Sequence, residues 1–445
     1  MKNILSKENR KEKILKIIQD EKNIEQGYGV RVKIQGEMKP LPAYKIPLDC
    51  LIYNRYNGRI ASRVKTFEKE YRDLNPEEIE DAKQIEQFLW ESDEKKNEAT
   101  MEDLLSGQNV AGVITLDGKI ADGNRRVCLL NRILDDAEKN PKKYEKIDIS
   151  KCKYFIAAVV EKDLSDPELL ELELSVQLAE EKVGYNAIEK YLKCDQLKGA
   201  GFSDEAIKTM MRYDSINDVK KDYDMKRLMD EFLEYIGYSG IYTRLDEVED
   251  PFLGLYSTIK KVDAGKIGKD FDWNPDELDL NDLKIASFNY IRADLENINT
   301  EKSYRYITGS NKDAFFKTEK AWKTYIETTK DVIDDSREGE KSFDDLRKEN
   351  PGSKIEDLMN SRDKQWTEKI ADKIKEGFGK SKSIVEAKVD NDKPVKLLSE
   401  AKYKIEGINP NTEAFYSEEV TNLLKELGSM IWELKKINEK GLKND

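Results

Sequence analysis

The chain has 445 residues, 38% of them apolar and 38% charged, with a net charge of −13 at pH 7. This length allows roughly two to four domains, and the acidic balance argues against sequence-independent nucleic-acid binding over the whole surface. The chain contains no histidine and only four widely separated cysteines, which excludes histidine-based triads, HNH-type nuclease centres and histidine zinc sites and suggests neither a zinc ribbon nor a disulfide framework.

Residues 1–22 are charged throughout and have apolar residues on one broad face. They predict a helix rather than a signal peptide. No window reaches the apolar length that spans a bilayer. We therefore expect a cytoplasmic protein with no membrane partner, and the cysteine usage fits that reducing compartment.

Apolar residues that alternate with polar ones predict strands, and apolar residues at helical spacing predict helices. The elements predicted next are strands over 29–34 and 43–52, a loop over 53–60, a helix over 77–92 and a short helix over 100–105. Thr100 stands at the N-cap position of that short helix.

The run Asp122-Gly-Asn-Arg-Arg126 lies between a strand predicted over 113–121 and a helix predicted over 127–139. Helix N-termini present open backbone N–H groups and a positive dipole end, so they suit anions. Arginines at such a place bind phosphate through two N–H groups at once. The same short motif is compatible with a surface turn that carries two solvated arginines, and local chemistry leaves both interpretations open.

A continuous apolar run predicts a buried strand over 154–160. The rest of the chain is predicted to be helical, with helices over 169–181, 187–197, 204–211, 216–236, 285–295, 318–333, 355–374 and 417–438. Short helices joined by glycine-containing turns between 187 and 236 are compatible with a helix-turn-helix or with a plain bundle. Residues 377–394 predict a flexible link or a hairpin.

The last predicted helix carries an apolar stripe formed by Val420, Leu423, Leu424, Leu427, Ile431 and Leu434. Such a stripe is either a contact with the core or a dimer seam. We prefer the core contact.

The string Thr115-Leu-Asp-Gly-Lys-Ile-Ala-Asp-Gly-Asn-Arg-Arg126 resembles the signature of the ParB/sulfiredoxin superfamily, a Gly-x-Arg-Arg element between a strand and a helix. The loop Asn54–Arg59 is similar to the first motif of that superfamily, an Asn-rich loop that ends in arginine. The short helix at 100–107 and the strand at 154–164 also match the surroundings of the signature. The resemblance covers about residues 40–240.

The resemblance implies an α+β fold, with a ParB/sulfiredoxin-like mixed sheet and helices followed by mainly α-helical domains. We expect an N-terminal helix and strand at 1–39 and a nucleotide-binding domain at 40–165. A helical domain at 166–260 would hold the helix-turn-helix, and a helical domain of unknown role would cover 261–445.

By position, the resemblance implies a site for a nucleoside triphosphate, CTP or ATP, with Mg²⁺. The residues expected to bind the nucleotide are Asn57, Arg59, Gly123, Asn124, Arg125, Arg126 and Lys182, the last as a replacement for an arginine of the family. Asp122 and Asn124 stand where they would complete the metal shell and take the catalytic roles.

The chain also departs from the family pattern. Asn124 stands where sulfiredoxins have their reactive cysteine and where ParB proteins often have glutamate, so hydrolysis of the nucleotide is left open. The insert at 65–97 is longer than in partition proteins and looks more like the divergent members of phages, plasmids and defence islands.

DNA binding is also implied, through Lys220, Lys221, Lys226 and Arg227 on the helix predicted over 216–236. Asp218, Asp222 and Asp224 dilute that basic face, and mixed charge is common on solvated helices. A homodimer is open, as is a protein partner bound through the helical C-terminal half.

We therefore expect a ParB-like nucleotide-binding protein associated with DNA, of a mobile element or an anti-phage system, with NTPase activity undecided. One alternative is a metal-dependent nuclease that uses Asp117, Asp122 and Glu181. A second is a small-molecule kinase, and a third is a non-catalytic module that senses a nucleotide and recruits a protein.

Overall fold

The computed structural model describes residues 3–34, 37–162, 164–179, 186–246, 248–267, 271–294, 303–389 and 393–441. Backbone contacts divide the chain into two compact units, Met1–Phe378 and Gly379–Asp445. The domain boundaries predicted at 39, 165 and 260 all fall inside the first unit, and at that finer level they stay predictions.

The sheet and the helices around it form the first 160 residues. In chain order these elements are α1 (Lys7–Ile18), β1 (Ile24–Ile34), β2 (Glu37–Pro47), α2 (Ala61–Glu70), α3 (Ile79–Glu91), α4 (Glu94–Ser106), β3 (Gly112–Thr115), β4 (Ile120–Asp122), α5 (Asn124–Lys139) and β5 (Tyr154–Val160). The strand order is β1-β2-β5-β3-β4. β3 runs parallel to β5, and the other neighbours are antiparallel. This mixed sheet with helices confirms the predicted mixture of strands and helices.

The core lies on both faces of the sheet, and the middle strand β5 contributes side chains to it on each face. Phe155 of β5 packs in one large apolar cluster with Val127 and Leu130 of α5. On the opposite face Val160 packs with residues 169–176. A strand covered on both faces must be apolar at successive positions, which is why its sequence reads as one continuous run.

The remaining described elements are helical. They are α6 (Asp166–Ala179), α7 (Ala187–Gly199), α8 (Asp204–Met211), α9 (Ile216–Tyr235), α10 (Glu249–Asp263), α11 (Glu277–Asp294), α12 (Tyr304–Ile307), α13 (Glu319–Glu338), α14 (Phe343–Glu349), α15 (Ile355–Val389), α16 (Lys393–Glu406) and α17 (Glu418–Gly441). Among the described helices, none is long and apolar enough to cross a membrane.

The single strand predicted over 113–121 is wrong, because β3 and β4 form an antiparallel hairpin there. Gly118 makes the turn with a φ of +84°, and a Cβ at this position would lie 1.9 Å from the carbonyl oxygen of Cys50. Only glycine fits such a turn. The pair Asp117-Gly118 is a known turn signal, and it marks the interruption in the sequence.

The short helix predicted over 100–105 begins earlier than expected. Asp93 is its N-cap and accepts a hydrogen bond from the Lys96 N–H, so α4 already includes Thr100. The Thr100 hydroxyl donates to the carbonyl of Lys96 within the helix instead of capping it.

The observed ends of α1, β2 and α15 correct three further predictions of secondary structure. Helix α1 covers only part of 1–22, and β2 ends at Pro47, before the end predicted for that strand. Helix α15 continues to Val389, so the first part of the link predicted over 377–394 is helical. The preceding residues of that helix are good helix formers, and two glycines do not interrupt it.

The apolar stripe of α17 is exposed. Leu423 is 51% exposed, Leu427 39% and Leu434 55%. The preferred interpretation of this stripe as a core contact is therefore wrong for the described structure.

Candidate functional site

The junction of β4 and α5 is built around Gly123. Its φ is +110°, and a Cβ there would lie 2.3 Å from the ring of Phe155, so a side chain would be both strained and blocked. Gly123 is the N-cap of α5, and it has no side chain with which to cap this helix end. The first backbone N–H groups of α5 therefore face the place where an anion binds best.

A cavity of about 380 Å³ opens at this end of α5, and we name it the α5 cavity. It is lined by Asn57, Arg59, Thr100, Asp103, Leu104, Gly107, Asn109, Val110, Asp122, Gly123, Asn124, Arg125, Arg126 and Val176. The two predicted segments, the 53–60 loop and the 122–126 turn, thus meet at one place. Their meeting requires the sheet, since the two segments lie far apart in the sequence.

The sequence analysis did not assign the wall formed by Thr100, Asp103 and Leu104 to the site. These residues lie on α4, and the turn after α4 adds Asn109. The resemblance pointed to residues 100–107 as neighbours of the signature, and that was the one signal that could have found them.

Arg125 lies in the cavity wall without a close counter-charge. Its side chain is only 13% exposed, and its nearest recorded carboxylate oxygen, in Asp93, lies 3.9 Å away. Its buried Nε has no hydrogen-bond partner among the described residues. Burial, and then the positive charge of Arg59, lower the pKa of Arg125 to about 10. The guanidinium is still charged at neutral pH, so the site favours a bound anion.

Arg126 lines the same cavity, but its guanidinium already has partners. It forms a 2.7 Å ion pair with Asp122, donates to the carbonyl of Val110 and lies 5.5 Å from the ring centre of Phe155. Arg126 therefore holds the end of β4 against α5, and Asp122 is occupied as its counter-charge.

The Asn124 side chain bonds to the 53–60 loop, and the metal-binding and catalytic role expected for it by position stays a prediction. Its side chain is buried, with 1% of the residue exposed, and its Oδ1 accepts a 2.9 Å hydrogen bond from the backbone N–H of Asn54. Among the described residues no group of three or more acidic or cysteine side chains is arranged to hold a metal ion. The donor set fits an anion better than a metal ion held by protein alone.

Asn57 shapes the loop that carries Arg59. Its side chain is buried, and its Oδ1 accepts a hydrogen bond from the backbone N–H of Arg59 at 3.1 Å. This is the pattern of an Asx turn, which bends the chain without regular structure. The turn brings Arg59 to the α5 cavity.

Of the residues expected for a nuclease, the structure describes Asp117 and Asp122, and only Asp122 lines the α5 cavity. Asp117 lies in the β3–β4 turn, where its side chain accepts from the Thr115 hydroxyl, and it is not among the residues that line the α5 cavity. Glu181 and Lys182 lie outside the described residues.

The cations expected to contact DNA lie on α9, and two of the four are engaged by neighbouring carboxylates. Lys226 lies 2.6 Å from Asp230, and Arg227 lies 3.0 Å from Asp224. Lys220 is exposed and Lys221 is half-buried. The expectation that this helix contacts DNA stays a prediction.

Comparisons with protein-family models, curated proteins and solved structures found no match for this chain. Its function must therefore be inferred from the α5 cavity. There a largely buried guanidinium, whose Nε has no hydrogen-bond partner among the described residues, lies at the start of a helix with a glycine N-cap, and Arg59 lines the same space. Helix N-termini and arginines are groups with which proteins commonly bind oxyanions such as phosphate.

Proposed function

We propose that this protein binds a nucleoside triphosphate, as a ParB-like nucleotide-binding protein that acts at DNA in a mobile element or an anti-phage system. The phosphates would lie at the start of α5, between Arg59 and Arg125. The observation that carries the proposal is the buried Arg125 guanidinium, whose Nε lacks a partner and whose pKa is lowered by burial and by Arg59.

The size and polarity of the α5 cavity support a nucleotide rather than a lone phosphate. Its volume of about 380 Å³ lies in the range of small-molecule sites. Asp103 and Asn109 add a carboxylate and an amide to the lining, and such groups hydrogen-bond a base or a ribose.

Binding without turnover is the form of this function that the contacts favour. Asp122 is paired with Arg126, and the Asn124 amide is bonded to Asn54. Neither side chain is left to orient an attacking water, as phosphoryl transfer requires. Mg²⁺ would enter with the phosphates, since it commonly keeps its waters and takes few protein ligands.

The test is a binding and turnover panel of ATP, CTP, GTP and UTP with Mg²⁺, each with and without duplex DNA. We expect one nucleotide to bind preferentially, with little release of phosphate. Arg125→Ala should abolish binding. Arg132→Ala removes an arginine two turns further along α5 that does not line the cavity, and it should bind as the native chain does.

If none of the four nucleotides binds, the proposal is wrong. Turnover of ATP that needs no DNA would favour a small-molecule kinase. Mg²⁺-dependent nicking of the duplex, lost in Asp122→Ala, would favour the nuclease.

A further inference from the structure

A buried ion pair lies behind the loop of the α5 cavity. Lys193 of α7 is 1% exposed and Glu173 of α6 is fully buried, and their charged atoms are 3.0 Å apart. Neither residue lines the cavity. The pair nevertheless contacts the loop that does.

Both members of the pair bond to the 53–60 loop. The Asn54 side-chain amide donates to Glu173 Oε2 at 3.2 Å, and Lys193 Nζ donates to the backbone carbonyl of Tyr56 at 3.0 Å. Lys193 has a further acceptor in Gln196 at 3.3 Å. The ammonium group is thus surrounded by three acceptors, one of which belongs to the loop backbone.

The same loop is bonded to the start of α5 on its other side. The Asn54 N–H donates to Asn124 Oδ1, and the Asn54 carbonyl accepts from the backbone N–H of Asn57. Asn57 in turn fixes the backbone of Arg59. A continuous series of buried hydrogen bonds therefore joins the ion pair on α6 and α7 to both sides of the cavity.

An ion pair this deep is a poor way to gain stability alone. Removing two charges from water costs about as much as their attraction returns, and apolar residues of similar volume often replace such pairs without loss. Apolar residues could not accept the hydrogen bond from the Asn54 amide, and they could not donate one to the Tyr56 carbonyl. These two bonds to the loop distinguish the ion pair from an apolar replacement.

We propose that Glu173 and Lys193 are positioning residues, which hold the 53–60 loop so that Arg59 and Arg125 converge on one phosphate group. This inference rests on the proposed function for its ligand. By linkage, a ligand bound in the α5 cavity also stabilises the packing of the loop on α6 and α7.

The test replaces the pair by apolar residues of similar length, in the double variant Glu173→Met/Lys193→Met. We expect this variant to fold, with an unfolding midpoint close to that of the native chain. Its affinity for inorganic tripolyphosphate and for the preferred nucleotide should fall by about tenfold or more, because misplaced ligand groups lose most of their effect. Tyr191→Phe is the control, since it removes a buried hydroxyl from α7 that bonds Glu249 and not the loop, and it should bind normally.

A double-mutant cycle separates positioning from general packing. Asn54→Ala keeps the ion pair and the bond from Lys193 to Tyr56, but it removes the bond from the loop to Glu173, so it should also weaken binding. Combining Asn54→Ala with the double methionine variant should weaken binding little further, because both changes break one series of bonds. Additive losses, or native affinity in the folded double variant, would overturn the proposal.

Two outcomes need a second readout. If the double variant fails to fold, Asn54→Ala alone decides, and native affinity in that variant overturns the proposal. If the native chain binds no tripolyphosphate or nucleotide, the proposed function fails, and amide hydrogen exchange in the ligand-free chain decides positioning. Faster exchange at 54–60 in Asn54→Ala than in Tyr191→Phe supports it, and equal exchange overturns it.

Discussion

The unit Met1–Phe378 contains two groups of three arginines, which differ in how closely carboxylates contact their guanidiniums. In the paired cluster, formed by Arg244, Arg292 and Arg362 with Asp363 and Glu340, every guanidinium contacts a carboxylate. In the α5 cavity, lined in part by Arg59, Arg125 and Arg126, Arg126 forms a 2.7 Å ion pair with Asp122, whereas Arg125 lies 3.9 Å from Asp93.

The pKa values of Arg292 and Arg125 differ accordingly. Burial lowers the pKa of Arg292, but the hydrogen bonds to Glu340 and the charge of Asp363 outweigh it and leave the pKa raised. For Arg125, burial and then the charge of Arg59 lower the pKa to about 10, with Asp93 too distant to reverse it. The paired cluster therefore balances its own charges, whereas the positive charge of Arg125 is balanced less closely by the protein.

The largest expected effect is the loss of the shared carboxylate from the paired cluster. Asp363 is fully buried and accepts hydrogen bonds from Arg244, Arg292 and Tyr238. Asp363→Asn would leave buried guanidiniums without their counter-charge, so we expect a loss of about 3–5 kcal/mol in the free energy of unfolding. Urea denaturation measures it, with Glu368→Gln on the exposed side of α15 as the control. A loss below about 1 kcal/mol would contradict the view that this cluster is a structural unit.

Glu189 is a buried carboxyl group without a close cation, so it is the acidic counterpart of Arg125. Glu189 is 2% exposed and accepts hydrogen bonds from the Ser62 hydroxyl and N–H. Burial raises its pKa from an ordinary 4.5 to about 7, although the bonds from Ser62 oppose the rise. The folded state therefore binds this proton more tightly than the unfolded state does.

The sign of the pH effect follows from that difference. The contribution of Glu189 to stability is complete below about pH 4.5 and is lost as the pH rises through about 7, which amounts to about 3 kcal/mol. Glu189→Gln keeps the hydrogen-bonding shape but not the titration, so its unfolding free energy should fall less between pH 5 and 8 than that of the native chain. If the unfolding free energies of the two proteins changed equally with pH, the idea that folding raises the pKa of Glu189 would be wrong.

The sequence predicts those features that depend on neighbours along the chain. The strand predicted over 154–160 and the helix over 204–211 match Tyr154–Val160 and Asp204–Met211, because burial on both faces and a clear N-cap leave local patterns. The residues named from the resemblance at 57, 59 and 122–126 do line one cavity.

What the sequence could not predict are the partners of these residues. Asn124 bonds to a residue 70 positions away, and Asn54 bonds to Glu173 across 119 positions. No periodicity marks such pairs, so the sequence could not predict that Asn124 bonds to the 53–60 loop. The same holds for Asp363, whose three donors come from other helices and turns.

Arg125→Met is the substitution that separates the two arginine groups most directly. Because Arg125 has no close counter-charge, we expect its removal to leave the thermal stability unchanged or slightly higher, while triphosphate affinity falls by about 100-fold. Arg292→Met should show the reverse, with a large loss of stability. Differential scanning fluorimetry with and without tripolyphosphate measures both effects. Destabilisation of Arg125→Met as severe as that of Arg292→Met would make Arg125 a structural residue.

The smallest expected effect concerns Arg126, which forms a close ion pair with Asp122. Asp122→Asn removes the counter-charge of Arg126 and makes the cavity more positive, so tripolyphosphate should bind about threefold to tenfold more tightly. Glu138→Gln, at the far end of α5 and exposed, is the control and should leave the affinity unchanged. Isothermal titration with and without Mg²⁺ distinguishes the two roles of Asp122. If Asp122→Asn binds tripolyphosphate more weakly only when Mg²⁺ is present, this carboxylate serves the metal ion as well as Arg126.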